Sequence, residues 1–134
     1  MVRALIDTNV LISALFWGGE PRRVVDLAAA GRFQALTSPE LLSELEEVLV
    51  EDFGVPQDKI DLIIRDLLSY SELITPIEES EVPVRDPTDR KIITCALAGH
   101  ADFIITGDSD LLALGQVQGV RVLTVRAFIE AHAW

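Results

Sequence analysis

Short apolar runs alternate with helix-patterned segments along nearly the whole chain, and that alternation restricts its fold more than any other feature. Val2 to Ile6 reads as a buried strand, followed by helical patterns at about 9–17 and 21–31, the second opening on Pro21, a favourable first-turn residue. Phe33 to Thr37 forms a second apolar run. Ser38-Pro39-Glu40 then supplies an N-cap, a first-turn proline and a first-turn acid for a helix reaching about 51. A further helix over about 57–70 precedes a third strand, Glu72 to Thr75, which Pro76 ends; 76–85 reads as a polar loop. Asp86-Pro87 opens a helix that stops near Gly99, Phe103 to Thr106 is a fourth strand, and Asp108 starts a short helix. Val120 to Leu123 is a fifth strand before a last helix. Strands that alternate with helices predict an α/β fold with a parallel sheet of about five strands, helices on both faces and right-handed crossovers.

At 134 residues the chain is expected to be one domain, 1–134, burying roughly 68% of its unfolded surface. A hydrophobic fraction of 49% fits a folded chain, and no apolar run approaches the roughly 18 residues of a membrane-spanning helix. Asp7 interrupts the apolar opening where a secretory signal would continue, so a cytoplasmic location is expected; the lone Cys95 agrees and allows no internal disulfide. The formal charge of −11, from 11 basic and 22 acidic residues, argues against a tight, non-specific nucleic-acid binder. Part of that acidity falls in Glu78-Glu79-Ser80-Glu81, read as a solvated loop.

The remaining acids gather where chemistry is expected. In open parallel sheets ligands bind beyond the carboxyl ends of strands, near a point where strand order reverses. Asp7 follows Ala4-Leu5-Ile6, and because Thr8 and Asn9 could cap the next helix equally well, Asp7 is more than that helix start needs. Asp108 follows Phe103-Ile104-Ile105 within Thr106-Gly107-Asp108-Ser109-Asp110; Asp110 is a further candidate ligand there. Asp86 reads as an N-cap before Pro87, whereas Asp89 shares a face with Ile92 and Ile93 and should point inward, as a capping-box group or a ligand. On the wheel of the 39–51 helix Glu44 and Glu46 border opposite flanks of the apolar face, and periodicity alone does not choose between them. Converging carboxylates repel unless a cation lies between them, and an all-oxygen donor set suits Mg²⁺ or Mn²⁺.

Other residues carry weaker signals. Arg85, Arg90 and Lys91 flank the acids and are candidates to meet a phosphate backbone, though they equally suit a solvated helix start. His100 and His132 lack partners at metal-ligand spacing, Cys95 reads as a small buried hydrophobe, and Trp17 and Trp134 suit core or interface alike.

Four segments taken together resemble the PIN-domain family, in particular its stand-alone prokaryotic members related to VapC toxins. They are Leu5-Ile6-Asp7-Thr8-Asn9-Val10-Leu11-Ile12-Ser13-Ala14, Ser38-Pro39-Glu40-Leu41-Leu42-Ser43-Glu44-Leu45, Asp86-Pro87-Thr88-Asp89-Arg90-Lys91-Ile92, and Ala101-Asp102-Phe103-Ile104-Ile105-Thr106-Gly107-Asp108-Ser109-Asp110-Leu111-Leu112. The likeness spans essentially the full length. It implies a three-layer α/β/α sandwich and metal-dependent cleavage of single-stranded RNA by Mg²⁺ or Mn²⁺ held on Asp7, Glu44, Asp89 and Asp108, so it selects Glu44 over Glu46. It further implies Asn9 and Thr106 as supporting polar groups, a homodimer, and a small antitoxin as partner. Two other readings compete. A PIN-like binding module without catalysis would keep the same acids. An aspartyl-phosphate enzyme fits less well: Asn9 stands where a second acid would be wanted, and Val122-Leu123-Thr124-Val125 supplies no lysine.

Overall fold

The computed structural model describes residues 1–76 and 86–134. In chain order the elements are β1 (Arg3–Ile6), α1 (Thr8–Phe16), α2 (Gly19–Ala29), β2 (Gln34–Thr37), α3 (Pro39–Glu51), α4 (Gln57–Tyr70), β3 (Ser71–Leu73), α5 (Pro87–Ala98), β4 (Phe103–Ile105), α6 (Ser109–Leu114), β5 (Gln116–Val117), β6 (Val120–Leu123) and α7 (Val125–Ala131). The strands lie side by side in the order β3-β2-β1-β4-β6-β5. All neighbouring pairs are parallel except β5 with β6.

Strand periodicity explains the layering. Successive strand residues face opposite sides of a sheet. Ala4, Ile6, Ala35 and Ile105 accordingly enter one core with residues of α1, α2, α3, α4 and α7. Leu5, Leu36, Ile104 and Val122 enter the other, beneath α5 and α6. Near-continuous apolar strands are what a sheet covered on both faces requires, and the result is a central, mostly parallel sheet in an α/β/α sandwich.

One strand departs from expectation. Five strands are legible in sequence, and the described residues form six. The addition is β5, two residues long, joined to β6 through Gln118 and Gly119, which both take positive φ (46° and 90°). That is the backbone of a tight hairpin whose twist matches its strands. β3 also begins and ends earlier than the sequence pattern suggests. The 76–85 loop reading, the Glu78-Glu79-Ser80-Glu81 assignment and Arg85 lie outside the described residues, Pro76 excepted.

Local chemistry fixes the helix starts. Ser38 accepts from the Leu41 N–H at 3.2 Å, with Pro39 in the first turn. Thr124 caps α7 through the Ala127 N–H at 3.1 Å. Behind α5, Gly99 allows close approach: a Cβ there would lie 3.0 Å from side-chain carbons of Ile74 and Leu36. No helix among the described residues is long and apolar enough to cross a membrane.

The strand order positions the site. From β1 the chain steps outward through β2 and β3, then returns to place β4 on the other side of β1. The order reverses between β1 and β4, and both strands end at the same edge, with Ile6 opposite Ile105. Asp7 and Thr106 are the next residues along.

Candidate functional site

Asp7 stands at the N-cap position of α1, yet its side chain makes no capping hydrogen bond. Its backbone N–H bonds Ile105 O at 2.9 Å, which extends the strand pairing by one residue. The carboxylate instead turns to the neighbouring strand end and accepts from the Thr106 hydroxyl at 2.7 Å. Thr106 is fully buried, Asp7 is 4% exposed, and the hydroxyl also accepts from the Asp108 N–H at 2.9 Å. One hydroxyl therefore joins the ends of β1 and β4. Burial raises the Asp7 pKa; the Thr106 bond and the nearby N–H groups of Thr8 and Asn9 pull it down, and Asp108 pushes it up again.

Asp108 carries two duties. It caps α6, accepting from the Asp110 N–H at 2.8 Å, and this fold-back brings the Asp110 side chain alongside. Asp89 arrives from the first turn of α5 and is 4% exposed, so the inward direction read from Ile92 and Ile93 holds. One carboxylate oxygen from each of Asp89, Asp108 and Asp110 lies within 4.8 Å of the others. Burial first, then the charges of Asp108, Asp86, Asp7 and Asp110, push the Asp89 pKa up from 3.8 to about 6. An acid held that high beside four others is the electrostatic signature of a place for positive charge.

Glu44 approaches from α3. It is half-buried, and its Oε2 is shut from solvent without a hydrogen-bond partner among the described residues. Its pKa is raised by burial and then by Asp7, while Lys91 lowers it. Glu46, the alternative on the helical wheel, is half-buried as well but instead accepts from the Gln57 side-chain amide at 3.0 Å. The structure thus directs Glu44, and not Glu46, toward the acids.

Asp89, Asp108 and Asp110 form the tight group; Asp7 and Glu44 border it through the field they share. Asp110, which sequence offered only as an additional ligand, is a full member, and Asp86 adds its charge to both Asp89 and Glu44. Of the basic candidates, Lys91 is exposed and lines a cavity with Glu44, and Arg90 is half-buried. Asn9 is exposed and lines a different cavity with Thr106 and Gly107.

The remaining candidates fall elsewhere. Cys95 is fully buried, and burial pushes its thiol up to about 12. His132 stacks on Trp134 with ring centres 4.6 Å apart, inside an aromatic group with Phe33 and Phe128. Trp17 is 70% exposed.

The donor set suits a hard divalent cation. Mg²⁺ and Mn²⁺ take carboxylate oxygens, and Mg²⁺ keeps much of its water, so a partly open cluster serves better than a closed cage. The unpartnered Glu44 oxygen, shut from solvent, would gain a partner from such an ion's waters.

Comparison with known proteins gives a consistent picture. The chain is similar in structure to VapBC2 from Rickettsia felis, whose crystal structure holds it bound to a DNA fragment from the promoter of its own genes. The TM-score is 0.64 at 14% identity, over 92% of this chain and 98% of that one. It is also similar to the PIN domain of RRP44 from T. brucei, with a TM-score of 0.55 at 14% identity, over 98% of this chain and 79% of that one. No curated protein matches it in sequence. At such identities the structural likenesses establish the fold. The sequence model of the PIN domain family, however, matches residues 3–110, from the first strand through the last clustered acid, and the chain accordingly belongs to the PIN domain family.

Proposed function

We propose that this protein is a divalent-metal-dependent endoribonuclease that cleaves single-stranded RNA, acting as the toxin of a toxin–antitoxin pair. The observation that carries the reading is the convergence of Asp89, Asp108 and Asp110 within 4.8 Å, beside Asp7. Carboxylates so close are costly unless a cation joins them. Asp89, Asp108 and Asp110, with Asp7 and Glu44 at the border, would hold Mg²⁺ or Mn²⁺. Such an ion supplies positive charge at the scissile phosphate and makes attacking water more acidic.

The protein's own groups prepare that site. The Thr106 hydroxyl donates to one Asp7 oxygen, which fixes the carboxylate and leaves the other oxygen to act as a ligand. The same hydroxyl anchors the Asp108 backbone, so two acids from strands distant in sequence move as one unit. The carboxylates position the metal and need not be nucleophiles. Lys91 and Arg90, at the start of α5, offer cations to the RNA backbone, and Arg85 extends that basic run in sequence.

Likeness to VapBC2 supports an antitoxin partner. So does an exposed aromatic surface on which Phe16 stacks against Phe53 at 4.3 Å with Trp17 beside them, since apolar area of this kind suits a protein partner or a second copy in a homodimer. Cytoplasmic RNA as substrate agrees with a single reduced cysteine.

The test is a gel assay on a panel of single-stranded RNAs with Mn²⁺. Wild type is expected to cleave, and Asp7→Asn to lose at least a hundredfold in rate. Equal cleavage by both would remove the acidic cluster from the mechanism. Failure of both to cleave, with no heat on Mn²⁺ titration, would favour a binding module instead.

A further inference from the structure

Two cavities adjoin the acids through neighbouring residues, one through Glu44 and the other through Thr106 and Gly107, and their linings differ in charge. One, of about 320 Å³, is lined by Glu40, Glu44 and Glu47 of α3 with Lys91 as its cation. The other, of about 270 Å³, is lined by Asn9, Thr106, Gly107, Thr124, Val125 and Arg126 with neighbouring residues of α1 and α2; among the described residues no carboxylate lines it. On a chain of net charge −11, a polyanion leaving the cluster is repelled along the first path and admitted along the second.

We propose that the Asn9–Arg126 groove is a nucleotide subsite, holding the RNA residue next to the scissile phosphate; this rests on the ribonuclease reading above. The groove shares Thr106 with the acid site, and Gly107 in its lining precedes Asp108, so a strand bound at the cluster lies next to it. Val10, Pro21 and Val125 supply an apolar wall for a base or ribose, and its volume lies near the roughly 300 Å³ at which small-molecule pockets begin. Gly107 opens the entrance: a Cβ there would meet no atom within 4 Å, and space remains for the chain to pass. Arg126 also lines the groove, with its side chain 71% exposed and bonded to Glu20 at 3.3 Å. An exposed pair of this kind is weak, and the phosphodiesters of a strand in the groove, each carrying one negative charge, compete with Glu20 for the guanidinium, helped by the counterions the strand releases. Arg126 is then a substrate-positioning residue and Glu20 its competitor.

The test is fluorescence anisotropy of a short labelled single-stranded RNA on the otherwise wild-type chain, with Ca²⁺ in place of Mn²⁺ so that the oxygen site is filled while turnover is suppressed. Arg126→Gln should weaken binding about three- to tenfold and reduce the slope of log affinity against log salt by about 0.7. Gly107→Leu, which fills the entrance, should also weaken binding, and Glu20→Gln should tighten it about twofold. Arg65→Gln removes the same charge from the exposed face of α4 and should change little. Unchanged binding by both Arg126→Gln and Gly107→Leu, or an equal loss in Arg65→Gln, would overturn the subsite. Wild-type cleavage of the same RNA, measured in parallel, separates the two proposals. Cleavage with unchanged variant binding refutes the subsite alone, and absence of both cleavage and binding refutes the ribonuclease reading and the subsite with it.

Discussion

Asp89→Asn should make the metal-free protein more stable while depriving it of metal. In the folded chain the Asp89 carboxyl titrates near 6, against 3.8 for an unperturbed group. Each tenfold change in proton affinity is ~1.4 kcal/mol, so ionising Asp89 in the fold costs at most about 3 kcal/mol. Water reaching the cluster past the exposed Asp110 screens part of this, and a gain of about 1.5–3 kcal/mol is expected for the neutral amide at pH 7.5. For a chain of this length that corresponds to roughly 5–10 °C in Tm. The sign follows from a folded pKa above the unfolded one. The penalty is absent below about pH 4, develops between about 4 and 6, and is complete above 6. Thermal denaturation with chelator across pH 4–8 should therefore show the two proteins converging at low pH and separating above 6. Adding Mn²⁺ should reverse their order by stabilising wild type and leaving Asp89→Asn nearly unmoved. A variant less stable than wild type at pH 7.5, or a gap independent of pH, would show that Asp89 is an ordinary helix-start group, and the electrostatic case for a cation site would fail.

Other perturbations separate site from scaffold. Thr106→Val removes the donor to Asp7 and the acceptor for the Asp108 N–H, and should cost about 1–3 kcal/mol in urea unfolding and about tenfold in Mn²⁺ affinity by calorimetry. Ser38→Ala loses the α3 cap and should cost ~1 kcal/mol in the same unfolding assay, with Mn²⁺ affinity unchanged. Gly99→Ala places a methyl 3.0 Å from Ile74 and Leu36, and overpacking should lower stability by about 1–3 kcal/mol, read as a shift in the urea midpoint.

Much of this architecture is written locally. Ser38-Pro39-Glu40 and the apolar runs Ala4-Leu5-Ile6 and Phe103-Ile104-Ile105 state their own conformations, and the alternation of strand and helix brings Asp7 and Asp108 to one sheet edge. β5 escaped because two residues, Gln116 and Val117, are too few for any periodicity; its trace was the Gln118-Gly119 turn. The site was legible in kind but not in membership. Glu44 and Glu46 are equivalent on a wheel, and only packing of α3 against the strand ends turns one toward Asp7 and the other toward Gln57. The place of Asp110 depends on the turn that Asp108 makes to cap α6, a side-chain choice that no spacing encodes. Arg126 gave no local signal, since its relation to Asn9 arises from two elements more than a hundred residues apart.

The hydroxyl tie between Thr106 and Asp7 spans 99 positions of sequence. During synthesis the first strand leaves the ribosome long before the segment that must dock beside it. Until that late segment emerges, Asp7 lacks Thr106, Asp108 and Asp110. A nascent copy therefore lacks the assembled acidic cluster until the segment from Thr106 to Asp110 has emerged and docked beside the first strand.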